Sequence, residues 1–288
     1  MAVSPSLPQK AGFARRAFGG PSRDRPLGFA GIVLLGLTTL YLLAAVGPLA
    51  GLFFYAPLTT VFGREALEEV NRSLWLTLRS SLVATGLAVL LGLPTAVCLA
   101  RLQFRGKQLA NALVELPIAL PPLVMGVALI LTWGRRGILG HYLAEAGYPL
   151  SFTPTAIVIA QFVVASPFFV RIAKAAIEQV PASLEQASLI LGASRFRTYL
   201  RITLPLAGRG LLTGVLTCWA RAMSEFGATV LFAGNFPGRT QTLPTSIFMA
   251  MQFDVEKAVG MALLMLAFST LSFVVAQMCL SGATRQAM

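Results

Sequence analysis

The sequence predicts an all-α polytopic membrane protein of six transmembrane helices with a helical hairpin on the cytoplasmic face, and three observations carry that expectation. Of 288 residues, 56% are hydrophobic and 12% charged, about half the charged fraction of an ordinary soluble domain. Apolar runs recur along the chain, each near the roughly 20 residues that cross a hydrocarbon core. Between two of these runs lies Arg171 to Arg209, a polar stretch too long for an idle connection.

The elements follow in order. Residues 1–26 hold Lys10, Arg15, Arg16, Arg23 and Arg25 among prolines, serines and glycines with no apolar period, which reads as a basic cytoplasmic tail. Leu27 to Tyr55 exceeds the ~7–15 residues of a signal-peptide core and is followed by more spans, so it reads as an uncleaved first helix. A second span runs from Leu74 to Ala100 and a third from Leu109 to Trp133. The third contains Pro117, Pro121 and Pro122, which remove backbone donors and should kink or break it, either as a gate hinge or as a packing kink. The fourth covers Thr153 to Val170, the fifth Gly210 to Phe232 and the sixth Val259 to Leu280, giving a transmembrane domain over 27–280 and a short cytoplasmic tail over 281–288.

Charge orients the spans. The net charge is +12 and the isoelectric point near 10.6. In a membrane chain such an excess marks cytoplasmic loops rather than nucleic-acid binding. With both termini on one side, the loops on that side carry fifteen Lys and Arg against six on the other, which places the termini in the cytoplasm. Cys98, Cys218 and Cys279 are far apart in apolar runs, and His141 is the single histidine, so no metal site is expected.

The polar stretch, with its hairpin over about 178–209, has internal order. Val180-Pro181-Ala182-Ser183-Leu184-Glu185-Gln186-Ala187 reads as a helix start with a serine cap, Ala187, Ile190 and Leu191 form an apolar face, and Gly192-Ala193-Ser194 stops the helix. A second short helix, Arg195 to Ile202, is expected to end where Leu204-Pro205 breaks into the fifth span. Gly192, nine residues and then Ile202-Thr203-Leu204-Pro205 resemble the EAA loop of bacterial ATP-binding-cassette (ABC) importer permeases. The triplet itself falls on Gln186-Ala187-Ser188 and departs at its first and third positions, with Glu185 supplying a carboxylate one place earlier. The resemblance implies a type I ABC importer permease fold, in which Glu185, Gln186, Ala187, Ser188, Gly192, Ala193, Arg195, Ile202, Leu204 and Pro205 form a coupling element for an ATPase.

The likeness continues downstream. Ala220-Arg221-Ala222-Met223-Ser224-Glu225-Phe226-Gly227-Ala228-Thr229 and Asn235-Phe236-Pro237-Gly238-Arg239-Thr240-Gln241-Thr242-Leu243-Pro244 are similar to molybdate-type permeases, relatives of the sulfate and tungstate ones. It implies import of an oxyanion, with molybdate first and sulfate, thiosulfate or tungstate as alternatives. An oxyanion path needs neutral donors rather than a trapping charge. Ser224, Glu225, Gly227, Thr229, Asn235, Arg239, Thr240, Gln241 and Thr242 are the candidates to line it. Arg221 and Glu225 lie four apart and share a helical face, either as a structural ion pair or with a transport role. Arg79 either snorkels or faces the bundle interior, and Arg135-Arg136 either anchor a helix end or attract anions.

No phosphate-binding G-x-x-x-x-G-K-[ST] occurs. The chain is therefore not expected to be an enzyme or to bind a cofactor itself; ATP and magnesium would sit on a separate ATPase. Expected partners are a second copy of the chain, two ATPase subunits, a periplasmic oxyanion-binding protein and membrane lipid. A membrane-embedded enzyme lacks a clustered nucleophile, base or metal set, and a passive channel leaves the long basic hairpin without a purpose.

Overall fold

The computed structural model describes residues 29–55 and 64–285. The expected basic tail over 1–26 lies outside them, as do residues 286–288. Among the described residues every regular element is helical, and five helices are long and apolar enough to cross a bilayer, or six if a bent pair counts as one span.

Two units are distinct. The first contributes α1, Phe29–Phe54, an apolar helix that retains Pro48 inside it. The second begins after it and is built on α2, Arg64–Arg101, a helix of 38 residues that starts well before the expected Leu74.

The expected third span is a sharply bent pair, α3 (Lys107–Ala119) and α4 (Pro122–Trp133), meeting at 113°. Leu120 and Pro121 are extended at the break, because a residue before proline is driven out of the helical region and a proline suits the first turn of a new helix. Pro117 is absorbed inside α3, so the break belongs to Pro121-Pro122. A short α5, Gly140–Glu145, follows.

The fourth span, α6 (Pro154–Glu178), runs eight residues past the expected Val170. It starts with a Thr153 side-chain cap and Pro154 in the first turn, and it is the most buried of the candidate spans. Ala160, Ala165 and Ala173 are fully or almost fully buried on it. These small residues let α2 and a later helix approach closely, as bilayer-embedded helices require. Phe169 and Ile177 fill the core between them.

The hairpin comprises α7 (Ala182–Ile190), α8 (Arg195–Thr198) and a wider turn, hydrogen-bonded i to i+5, over Tyr199–Thr203. Two of the expectations for it are corrected. Pro181, not a serine, precedes the first helical residue, and Ser183 lies inside α7. Nor does Leu204-Pro205 break the chain. The wide turn runs straight into α9 (Leu204–Met223), because the enlarged loop accommodates a proline that lacks an N–H.

The fifth span is also broken. It is not continuous to Phe232: α9 ends at Met223, and α10 (Gly227–Phe232) starts after Ser224-Glu225-Phe226. The last span is preceded by an unexpected helix, α11 (Leu243–Phe253). It then runs as α12 from Val255 to Arg285, five residues past Leu280.

Candidate functional site

The hairpin end is fixed from inside the chain. Glu185 Oε1 lies 2.8 Å from Arg101 Nη2. It accepts hydrogen bonds from Arg101 Nε at 3.0 Å and from Thr203 Oγ1 at 2.8 Å. The same guanidinium donates to the carbonyls of Ile177 and Val180, both at 2.8 Å. One arginine thus ties the C-terminus of α2 to the C-terminus of α6 and to α7. Ile177 O also accepts from Val180 N at 3.1 Å, and a cation at such a helix C-terminus is stabilising.

Gly192 closes α7 in the left-handed region at φ 86°. Its N–H bonds Leu189 O at 3.0 Å, and Ala193 N–H bonds Ser188 O at 3.1 Å, the two bonds of a Schellman stop. Ser194 then caps α8 by accepting from Arg197 N at 3.3 Å, and Ser188 Oγ meets Thr198 Oγ1 at 3.0 Å. Gln186 and Ala187 are exposed, as are Arg195, Leu184 and Phe196, whereas Ile202 and Leu204 are half-buried. Ile190 and Leu191 are 85% and 87% exposed at the tip. The hairpin is therefore rigid inwards and presents an apolar crest with arginines outwards.

Near the middle of the bundle the two breaks lie on one another. A Cβ on Gly227 would stand 3.0 Å from Pro122 Cβ and 3.1 Å from Leu123 N. A Cβ on Gly126 would stand 3.0 Å from Leu231 Cβ. Glycines at both crossings let α4 and α10 touch backbone to backbone. Glu225 is fully buried: its Oε2 lies 2.7 Å from Arg221 Nη2, and its Oε1 accepts from Ala228 N at 2.8 Å. The ion pair exists, but across the break rather than along one helix, and the carboxylate also caps α10. Ser224 is exposed and turns its hydroxyl back to Arg221 O.

The other candidate donors divide. Thr240 Oγ1 accepts from Phe236 N at 3.1 Å, and Thr242 and Thr245 share a hydroxyl contact of 3.2 Å, so both hold the loop that follows α10. Asn235 Nδ2 donates to Thr245 O at 3.3 Å. Thr77 Oγ1 of α2 accepts from Leu243 N at 2.8 Å and so caps α11. By contrast, Thr229 Oγ1 and Asn235 Oδ1 are buried without a hydrogen-bond partner among the described residues. So are both amide atoms of Gln161, a residue that the sequence-based candidates do not include. A lone amide inside an apolar run is the available signal, since an unsatisfied amide in a bilayer costs on the order of several kcal/mol. Arg239 is exposed and Gln241 buried. No group of three or more His, Cys, Asp or Glu among the described residues is arranged to hold a metal.

An all-helical bundle of membrane-length helices, two of its spans broken, with a latched polar hairpin, defines a class: polytopic helical membrane proteins. The family of binding-protein-dependent transport system inner membrane components matches residues 88–281. The chain belongs to that family.

A probable transport system permease, NifC, of Clostridium pasteurianum is 34% identical over 80% of this chain and 81% of its own length. The molybdenum transport system permease ModB of Escherichia coli is 39% identical over 62% of this chain and 80% of its own. A sulfate transport system permease, CysW, of Synechococcus elongatus is 32% identical over 80% and 82% respectively. Among solved structures, the MetNI methionine ABC transporter in an inward-facing form aligns with TM-score 0.61 at 18% identity, covering 77% of this chain and 99% of that one. A bacterial ABC transporter that imports alginate aligns with TM-score 0.64 at 15% identity, covering 88% and 94%. These two share the fold of the chain.

Proposed function

We propose that this chain is the molybdate-translocating permease of an ABC importer, working by alternating access with both termini in the cytoplasm. Two copies would form the path, two separate ATPase subunits would hold ATP and magnesium, and a periplasmic oxyanion-binding protein would deliver the substrate. The chain itself would bind no cofactor and hydrolyse nothing.

The observation that carries the coupling role is the hairpin. Its inner side is latched through Arg101 and Glu185, while its tip exposes Ile190 and Leu191. An apolar crest at the end of a stiff connection suits docking into a groove of a motor subunit. Glu185 then serves as an internal anchor of the coupling element, with the exposed Gln186, Ala187 and Arg195 toward the ATPase. The Pro121-Pro122 break, packed on the Ser224–Phe226 break, is the natural gate. Gln161, Thr229 and Asn235 supply neutral polar atoms for passage.

Molybdate is favoured over other oxyanions by several molybdenum transport permeases 37–39% identical to this chain. Sulfate is the second reading, supported by the sulfate permease at 32% identity. The test is uptake of labelled molybdate at low external concentration in cells with and without the chain, with excess sulfate as competitor. Uptake that depends on the chain and resists sulfate is the expected result. Abolition by sulfate moves the substrate to sulfate, and no dependence on the chain for either anion refutes the oxyanion reading.

A further inference from the structure

The C-termini of α2 and α6 meet at the hairpin, so their N-terminal parts lie at the opposite end of the bundle. There they enclose, with the 237–241 loop, a cavity of about 1030 Å³. Arg72, Arg79 and Arg239 line it, together with Glu68, Glu69 and Gln241. The carboxylates are already engaged: Glu69 Oε2 lies 2.7 Å from Lys257 Nζ, and Glu68 Oε2 3.6 Å from Arg72 Nη2. Among the described residues, Arg79 and Arg239 pair with no carboxylate.

Two uncommitted guanidiniums facing one cavity specify the charge of what fills it. A cation within a membrane helix is costly unless it meets water or an opposite charge, and Arg79 lies within α2. The cavity gives it an aqueous outlet, beside a wall whose apolar part includes Trp75 and Leu87. Planar guanidiniums match the oxygens of tetrahedral oxyanions in pairs. Thr240 and Thr242, the neutral donors expected nearby, are engaged in holding the loop, which leaves the two arginines and Gln241 among the polar residues that line the cavity.

We propose that this cavity is a tetrahedral-oxyanion site held by Arg79 and Arg239, with Gln241 as a neutral donor. Two sources offer that chemistry. One is the free anion awaiting import, a source that rests on the oxyanion-import reading above; the other is the phosphate of a lipid headgroup. As a site for the free anion it stands at the outer face, ahead of the broken helices.

The test uses the full transporter, permease with its ATPase, in nanodiscs. One arm measures retention of labelled molybdate and labelled sulfate in phosphatidylcholine discs. The other measures retention of phosphatidylglycerol after exchange into detergent. Each arm compares wild type with Arg79→Gln/Arg239→Gln and with Arg79→Lys/Arg239→Lys. The expected result is roughly a tenfold or greater loss of inorganic anion binding in the Gln pair, given the strength of charge-assisted hydrogen bonds, with partial recovery in the Lys pair. Unchanged molybdate and sulfate retention with loss of phosphatidylglycerol supports the site and assigns it to lipid. Equal retention of all three ligands by wild type and the Gln pair overturns the proposal, as does a wild type that retains none. Co-purification with the ATPase reports folding, and if the Gln pair fails to assemble, Arg239→Gln alone, at an exposed loop position, decides between these outcomes. A wild type that retains the anion in discs while cells take none up refutes the import reading and leaves the cavity assignment standing.

Discussion

The two ends of the α2–α6 pair handle charge in opposite ways. At the hairpin end, Arg101 is tied to Glu185 and to two main-chain carbonyls, with side-chain exposures of 15% and 14% for the ion pair. At the far end, Arg79 and Arg239 border a cavity and pair with no carboxylate among the described residues. A guanidinium tied through Nε and Nη2 to a carboxylate and two carbonyls transmits force, because it cannot move without its partners. One with donors free attracts a ligand. The same residue type therefore builds a joint at one end and a receptor at the other.

The comparison breaks most severely at the joint. Arg101→Ala leaves the Glu185 carboxylate with only Thr203 as a side-chain donor and removes the arginine donor from the Ile177 and Val180 carbonyls. Removing one partner of a largely buried pair costs about 3–5 kcal/mol. The expected outcome is loss of uptake by more than tenfold with the chain still in the membrane. Uptake at the wild-type rate, read by the labelled-anion assay, would show that the latch plays no part in coupling.

Gly192→Asp comes next. The left-handed backbone at φ 86° costs a side chain about 1–2 kcal/mol, and the added carboxylate faces outward at the hairpin tip. We expect ATP hydrolysis to continue in the assembled transporter while transport falls severalfold. If the ratio of transport to hydrolysis stays constant, the tip is not the coupling element.

Gly227→Val probes the region between the two ends. Its side chain would press on Pro122 Cβ and Leu123 N, an overpacking penalty of about 1–3 kcal/mol. The thermal midpoint of the purified transporter should drop and transport slow, while substitutions at the open Gly208 should change neither. Equal behaviour of the two positions would remove the argument for a close crossing.

The smallest effect is expected for Ser194→Ala, which deletes the cap of α8 at about 1 kcal/mol or less. Transport should be close to normal, with only faster proteolysis at the exposed hairpin. A loss as deep as that of Arg101→Ala would mean that the outer turn, not the inner latch, holds the coupling element.

The sequence makes legible what proline, glycine and apolar length report locally. Pro121-Pro122 marks the break in the third span, and Gly192 marks the end of α7. The break at Ser224–Phe226 carries no proline, and Arg221 and Glu225 at a four-residue spacing look like an ordinary helical pair; only the capping of Ala228 N reveals that the helix has stopped. The helix α11 is hidden because its 11 residues are too few for a span, and Asp254, Glu256 and Lys257 set it apart from the apolar run of α12. Leu204-Pro205 misleads for the opposite reason, since a wide turn absorbs the proline. The arginine-lined cavity joins positions 160 residues apart, Arg79 and Arg239, and no local pattern ties them. Glu185 belongs by spacing to an outward-facing motif, whereas its partners Arg101 and Thr203 are supplied by the fold.

The uninterrupted helix from Arg195 to Met223 has a mechanical meaning. At about 1.5 Å per residue, its 29 residues make a rod roughly 43 Å long, comparable to a bilayer with its headgroups. One end is seated beside the hairpin stop and the other ends at the Glu225 break. On the coupling proposed above, a twist or tilt of the rod at its hairpin end would reach the Arg221–Glu225 contact with no intervening loop to dissipate it. The chain carries its own push-rod.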